Sequence, residues 1–508
     1  IAISLLVAFF ANKVIVNEMM KLQMSNGKVD FSSKDTLFIF STTKGNISKL
    51  GEVANNELIY NLACRVVSYY GNPNKPFIIS NACISGVMAS QHAYLSLSSG
   101  KFSNAVVVGG DEFSKFVSSG FDSFHSMSEQ PCRPYDKDRD GLSLGEAVAV
   151  AVYTTDESKS DGSGLMLLGG ASSNDANHIS GPSRTGDGLA TTMTKAMDIS
   201  GLSSADVPLV LAHGTATLYN DEMECKALAL SGLQNAELVS LKGYFGHTLG
   251  ASGLLETVLM LDMMKRGIVP RTLGYTNNGL SQEMKVTQST EHKSIEAFLK
   301  SASGFGGCNC SVVFGRKAGE FSSVESSTVK ISTKVEIKSN HVSLNGAKVF
   351  QSENNDEYAD FIRAAFKNIS SEPYMKFAKM DDFCKLALTS VEYLGINGVE
   401  NTALLLHTNS GCIHSDLRHL ENISQGAENA SPAVFVYTLP NIALGEIAIR
   451  HKFKGENLTR IVESFDEKAL MDDATTLLDN GADIVVAMYV DYFDSTCYSA
   501  ISSVVSRE

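Results

Sequence analysis

Residues 77–91 read FIISNACISGVMASQ: an apolar run, Phe77 to Ile79, turns through small residues into a helix-like stretch, with Cys83 at the turn. A thiol at a helix N-terminus faces unpaired backbone N–H groups and the positive end of the macrodipole, which favour thiolate over thiol. The stretch therefore predicts a nucleophile. Two histidines further along sit in equally unusual settings, His213 in VLAHGTATLYNDEMECKA and His247 in LKGYFGHTLGASGLLE.

Outward from Cys83, short apolar runs alternate with helical stretches. Ala105 to Gly110, Ala147 to Tyr153, Pro208 to Ala212 and Cys310 to Phe314 read as strands buried on both faces, which implies a helix-covered sheet. Val87 to Leu97 and Leu254 to Met264 carry helical spacing, the latter stopping before Lys265, Arg266 and Gly267. Cys83 follows PFIIS, His213 follows PLVLA and Lys242 follows ELVSL. Ligands gather at the carboxyl ends of strands in layered α/β folds, so the three can converge on one pocket. After Arg316, KAGEFSSVESSTVKISTK is rich in Ser, Thr and charge and reads as a linker.

A chain of 508 residues is too long for one ordinary core, and domain sizes suggest two to four units. Its net charge of −14 argues against a nucleic-acid partner, which requires clustered Lys and Arg. The nine Cys show no CxxC pair and no metal-ligand spacing with His, so they read as reduced cytosolic thiols, with no metal site and a cytoplasmic location. Residues 1–11, IAISLLVAFFA, are apolar except for Ser4 but fall short of the ~20 residues that span a bilayer. A buried strand or helix is expected there, with no membrane span. The chain opens with Ile1 rather than Met, which suggests a missing or processed N-terminus.

Five ordered motifs between Gly45 and Arg316 resemble the β-ketoacyl-acyl-carrier-protein synthases of the thiolase fold. They are NACISG around Cys83, PCRPYDKDRDGLSLGEA from Pro131, AHGTAT at His213, LKGYFGHTLGASG from Leu241 and GFGGCN from Gly304. The resemblance implies a layered α-β-α-β-α architecture of two related halves, residues 1–160 and 161–316. It implies a decarboxylative Claisen condensation in fatty-acid or polyene/polyketide-type biosynthesis. Cys83 would carry the acyl chain as a thioester, and neutral His213 and His247 would hold the enolate formed from malonyl-acyl carrier protein. The backbone N–H groups of Cys83 and Phe305 would form the oxyanion hole, with Phe305 also the gate between acyl and extender pockets.

By the same resemblance Lys242 is tied to Asp221 and Glu224, and Thr215 and Thr217 bind the phosphopantetheine arm. Glu256 is a supporting carboxylate whose role stays open. The 4'-phosphopantetheine arrives on the carrier protein, and no bound cofactor is implied. The Arg, Asp and Glu residues of PCRPYDKDRDGLSLGEA read as a structural ion-pair and turn network.

Two departures stand out. Only 82 residues precede Cys83, fewer than elongating synthases place there, and a Gly-rich first strand is not recognisable. Past the linker at 317–334, residues 335–508 contain SPAVFVYTLPNIALGEIAIRHKFKGE and GADIVVAMYVDYF, which resemble the segments flanking a synthase nucleophile. Glu463 and Ser464 stand near the place of the Cys. This unit is similar to a degenerate amino-terminal half of the chain-length-factor or aryl-polyene type, against an unrelated α/β domain. A homodimer, or a heterodimer with a ketosynthase-like subunit, is implied. The rival functions are a non-catalytic chain-length-factor or scaffold subunit, and a degradative thiolase using Cys308 as acid/base.

Overall fold

Strands that read as continuous apolar runs need cover on both faces, and three successive chain segments supply it. The computed structural model describes residues 2–6, 28–317, 327–352, 357–370, 372–396, 399 and 401–508. The first segment forms β1 (Ala2–Leu6), β2 (Thr36–Ser41), β3 (Phe77–Ile79), β4 (Asn104–Asp111) and β5 (Ala147–Thr154). The second forms β6 (Met166–Asn174), β7 (Leu209–Leu211), β8 (Glu237–Val239), β9 (Ile268–Val269), β10 (Lys285–Val286), β11 (Glu291–His292), β12 (Ala297–Gly304) and β13 (Cys308–Gly315). The third forms β14 (Val329–Lys338), β15 (His341–Leu344), β16 (Ala347–Gln351), β17 (Thr402–Thr408), β18 (Asn457–Ile461), β19 (Ile484–Tyr492) and β20 (Tyr498–Arg507). Because β14 begins at Val329, the expected linker 317–334 is too long. Its alternating polar residues pair with β20 along a sheet rather than remaining irregular.

The second segment builds a six-stranded sheet in the order β10-β8-β7-β12-β13-β6. Helices α1 (Ser85–Ser98) and α2 (Ser252–Lys265) are pressed between this sheet and that of the first segment, and both are buried on nearly every side. A helix in the middle layer needs apolar or small residues all round, as their sequences supply. Gly86 is required there: a Cβ would lie 2.6 Å from the Leu254 backbone nitrogen. Helix Tyr60–Tyr69 covers the outer face of the first sheet, through Val66 and Val67 against Phe38 and Val106. Helices Asp187–Ser200 and Leu218–Leu230 cover that of the second. The result is the layered α-β-α-β-α arrangement.

The third segment does not stand apart. Its strands continue the first sheet into twelve strands, ordered β1-β5-β4-β2-β3-β18-β17-β19-β20-β14-β15-β16. The join is antiparallel, Ile79 opposite Arg460 and Ile78 opposite Ile461. On either side of it the order is mirrored: β2, β3, β4 and β5 correspond to β17, β18, β19 and β20. The loops after β2 and β17 match in detail. Asp111 accepts from Thr42 Oγ1 and the Thr43 and Lys44 amides, and Asp491 accepts from Thr408 Oγ1 and the Asn409 and Ser410 amides. Carrying this register forward puts Arg460 at the equivalent of Ile79 and Ser464 at that of Cys83. Helix α3 (Ile442–His451) precedes β18, and α4 (Glu467–Asp479) follows it in the place of α1.

The seam carries an asymmetric charged cluster. Asp473 accepts from Arg460 at 2.7 Å and lies 2.8 Å from His407 Nε2, while the Arg460 guanidinium lies over the Phe77 ring. Residues 2–6 form a strand antiparallel to β5, as one of the two expectations for the N-terminal run had it; the rest of that run lies outside the described residues. Among the described residues, no helix is long and apolar enough to cross a membrane.

Candidate functional site

Cys83 sits in a 3-10 turn, Ala82–Ile84, between β3 and α1. Ala82 has φ of +49°, a left-handed conformation costing about 1–2 kcal/mol for a residue with a Cβ, so the turn is held by its surroundings. Asn81 does part of this: its side-chain amide donates to the Asn457 carbonyl at 2.8 Å and its oxygen accepts from the Thr459 amide at 2.7 Å. The nucleophile turn is thus anchored on the third segment.

Three sites predicted from distant segments meet. One atom each of Cys83, His213 and His247 (sulfur or ring nitrogen) lies within 4.8 Å of the other two, and the imidazoles meet edge to face, centroids 5.1 Å apart. Burial pushes the Cys83 thiol up to about 11, against the pull of the Lys242 ammonium. The expected resting thiolate is therefore corrected: the helix end is outweighed by desolvation, and the group rests as a thiol. The backbone N–H groups of Cys83 and Phe305 both point at the sulfur. Two backbone donors thus converge beside the sulfur.

Both histidines are neutral, as expected. Burial is the larger cause and Lys242 the next, holding His247 down to about 3 and His213 well below its usual range. His247 Nδ1 accepts from the Leu249 amide at 3.1 Å, which leaves the proton on Nε2, and Nε2 is buried with no partner among the described residues. An unpartnered buried donor facing a cavity is poised for a ligand acceptor.

The expected tie from Lys242 to Asp221 and Glu224 is absent. Lys242 Nζ donates to Glu256 Oε1 at 2.6 Å, and Ser252 Oγ donates to the same oxygen. Glu256, one of ten buried residues of α2, opposes its own burial with two ammonium partners, Lys242 and Lys300, which hold it at about 2. Asp221 and Glu224 instead hold main chain. Glu224 accepts from the His213 and Gly214 amides, both at 2.7 Å, and from the Tyr135 hydroxyl. Asp221 accepts from the Tyr135 amide, and Arg139 lies 3.6 Å from it. The PCRPYDKDRDGLSLGEA segment therefore buttresses the His213 loop.

Cys83, His213, Thr215, Thr217, His247 and Phe305 line one cleft of about 270 Å³. The Thr215 and Thr217 hydroxyls lie 2.9 Å apart in its wall. Behind Phe305 a second pocket, apolar and only about 20 Å³, is closed by Phe121, Leu249, Phe435 and Leu439. Phe305 borders both spaces, and its carbonyl accepts from Asn441 Nδ2 at 2.7 Å. Cys308 Sγ faces the same carbonyl at 3.2 Å, and burial raises its thiol far above the ordinary range. Sequence reasoning missed Lys300, Phe435 and Asn441. For Lys300 the signal was a lone charge in the strand AFLKSASG.

Comparison with known proteins comes to the same region. Residues 32–158 match the family described as "Beta-ketoacyl synthase, N-terminal domain" and residues 166–276 match "Beta-ketoacyl synthase, C-terminal domain". The chain is 32% identical over 255 residues to the 3-oxoacyl-[acyl-carrier-protein] synthase 2 of Vibrio cholerae, covering 47% of this chain and 61% of that one. It is 30% identical over 278 residues to the mitochondrial 3-oxoacyl-[acyl-carrier-protein] synthase of Arabidopsis thaliana, covering 51% and 60%. The chain thus spans about 60% of the length of these curated relatives. A solved structure, "PfaC Keto synthase-Chain length factor", superposes with a TM-score of 0.76 at 15% identity, covering 98% of this chain and 68% of that one. That likeness takes in all three segments and shows the fold, the thiolase-type layering.

Proposed function

We propose, from the premise that residues 32–276 carry the two domains of a β-ketoacyl synthase, that this chain is an acyltransferase joining an acyl group on Cys83 to a malonyl unit delivered by an acyl carrier protein. The observation that carries the reading is the meeting of Cys83, His213 and His247 at one cleft with an unpartnered Nε2–H on His247.

In this reading the phosphopantetheine arm enters along the wall that carries the Thr215 and Thr217 hydroxyls. Cys83 gives up its proton as it attacks the acyl thioester, and the carrier thiol leaves with that proton. With the malonyl thioester bound, the imidazoles donate to its carbonyl oxygen, so loss of CO₂ leaves an enolate held by hydrogen bonds rather than a free carbanion. The enolate carbon attacks the acyl carbonyl, whose oxygen takes its charge between the Cys83 and Phe305 amides. Collapse expels the Cys83 sulfur, which recovers a proton. Neutral imidazoles suit this work, since imidazolium would not survive beside Lys242.

The third segment is best read as a degenerate amino-terminal half, a built-in partner without a nucleophile. The mirrored strand order, the paired Asp111 and Asp491 loops and Ser464 at the Cys83 position support this. Phe435 then closes the acyl pocket from the partner side. A scaffold role for the whole chain is disfavoured by the intact Cys83, His213, His247 and Lys242. A thiolase role is disfavoured by the protonated, carbonyl-facing Cys308. The test is incubation with acyl- and malonyl-loaded carrier protein, followed by intact-mass analysis and CO₂ measurement. An acyl adduct on Cys83 with release of CO₂ is expected, and no adduct would refute the reading.

A further inference from the structure

The second buried lysine has no part in the scheme above, yet it is among the most enclosed charged groups of the chain. Lys300 has no exposed surface, lies mid-strand in β12 and donates to two groups: Glu256 Oε2 at 2.5 Å and the Ala212 carbonyl at 3.2 Å. Ala212 immediately precedes His213. Glu256 is thereby shared, one oxygen to Lys242 and the other to Lys300. A single carboxylate between two ammonium groups leaves the trio with a net charge of about +1, sealed from water and next to the imidazoles. Isolated buried cations are costly, and a methionine or leucine would fill the strand position without that cost. The lysine is therefore either a tie between β12 and the end of β7 or a source of field.

We propose that Lys300 is a positioning residue of the condensing site: by holding the far oxygen of Glu256 it fixes the Lys242 ammonium, and it sets a second buried positive charge behind the His213 loop. The inference rests on the functional reading above. The charged groups that face Lys300 are Glu256 from α2, Lys242 from the turn after β8 and Glu224 from helix Leu218–Leu230. Both imidazoles feel its charge, and in each the effect is to disfavour protonation. A field source should move a titration, whereas a mere tie should move only stability.

The experiment compares the unsubstituted chain with Lys300→Met, Lys300→Gln and Lys300→Arg, using malonyl-loaded carrier protein and following CO₂ release against pH. Failure of the unsubstituted chain to release CO₂ would defeat the functional reading itself. If it is active, the Met and Gln variants should lose activity on the acid side at a pH higher by about half a unit or more, because their histidines protonate earlier. Their kcat should fall about ten-fold or more with KM for the carrier unchanged, and Arg should restore the acid limb. Gln keeps a donor for Ala212, so it reports on charge if Met fails to fold. An acid limb that does not move in folded neutral variants overturns the proposal. So does failure of all three variants to fold, which would make Lys300 a structural tie.

Discussion

Truncating Phe435 to alanine should lengthen the acyl chains that Cys83 accepts. Phe435 is 4% exposed, with its ring 5.5 Å from Phe121, 6.3 Å from Phe116 and 5.2 Å from His419. It packs against Gly120, where a Cβ would come within 2.3 Å of the ring, so the ring fills the space that a larger residue at 120 would need. The pocket it closes, about 20 Å³, is little larger than the ~10–15 Å³ that one water needs. Phe→Ala in such a site costs about 3–5 kcal/mol, part of it for the cavity left behind. An acyl chain entering that cavity recovers ~0.8 kcal/mol per methylene, so three methylenes give about 2.4 kcal/mol, or roughly 60-fold in selectivity. The assay is competition among a ladder of saturated acyl thioesters for Cys83, read by intact mass, with urea melts of the free and acylated variant. The variant should favour longer chains and regain stability when they are loaded. A folded Phe435→Ala protein with an unchanged preference would refute the assignment of the pocket.

Three further outcomes follow from the geometry. Glu256→Ala should leave two buried ammonium groups unpaired and lower unfolding free energy by about 3–5 kcal/mol in urea melts, with Glu256→Gln falling between. His247, held at about 3 against an ordinary 6.5, stays neutral in the folded chain while the unfolded chain takes up a proton. Its contribution to stability is thus complete above the unfolded value and declines as pH falls through that window, so His247→Gln should flatten the urea midpoint against pH below about 6.5. Asn441→Ala removes the donor to the Phe305 carbonyl, worth about 1 kcal/mol, and should raise amide exchange across Gly304–Gly307 roughly five-fold.

The strands were legible because a doubly covered sheet demands unbroken apolar runs: AVVVGG, AVAVAVY and CSVVF lie within β4, β5 and β13. Cys83, His213 and His247 were legible because each stands just beyond such a run or in a glycine-rich turn. The wiring behind them was not. Lys242 and Glu256 are separated by a turn and a helix start, and spacing along the chain gave no reason to prefer Glu256 over Asp221 or Glu224. The thiol's resting state was misjudged because a helix end is visible in sequence, whereas depth of burial is a property of everything packed around it. Phe435 closes a pocket walled also by Phe121, Leu249 and Phe305, which come from three separate stretches far earlier in the chain, a closure no local pattern encodes. The linker was overextended because polar residues of a half-exposed strand resemble those of a loop.

The antiparallel join of β3 to β18 bears on how the two sides of the seam are free to differ. Where two copies of one chain meet on a two-fold axis, every substitution appears twice and must tolerate its own image. Here the register that matches Ile79 to Arg460 also matches His92 of α1 to Asp473 of α4, and one member of each pair is charged where the other is not. An aspartate facing its twin at such a place would repel it. Carrying both sides on one polypeptide removes that demand, and the tether keeps them at high local concentration whatever the abundance of the protein.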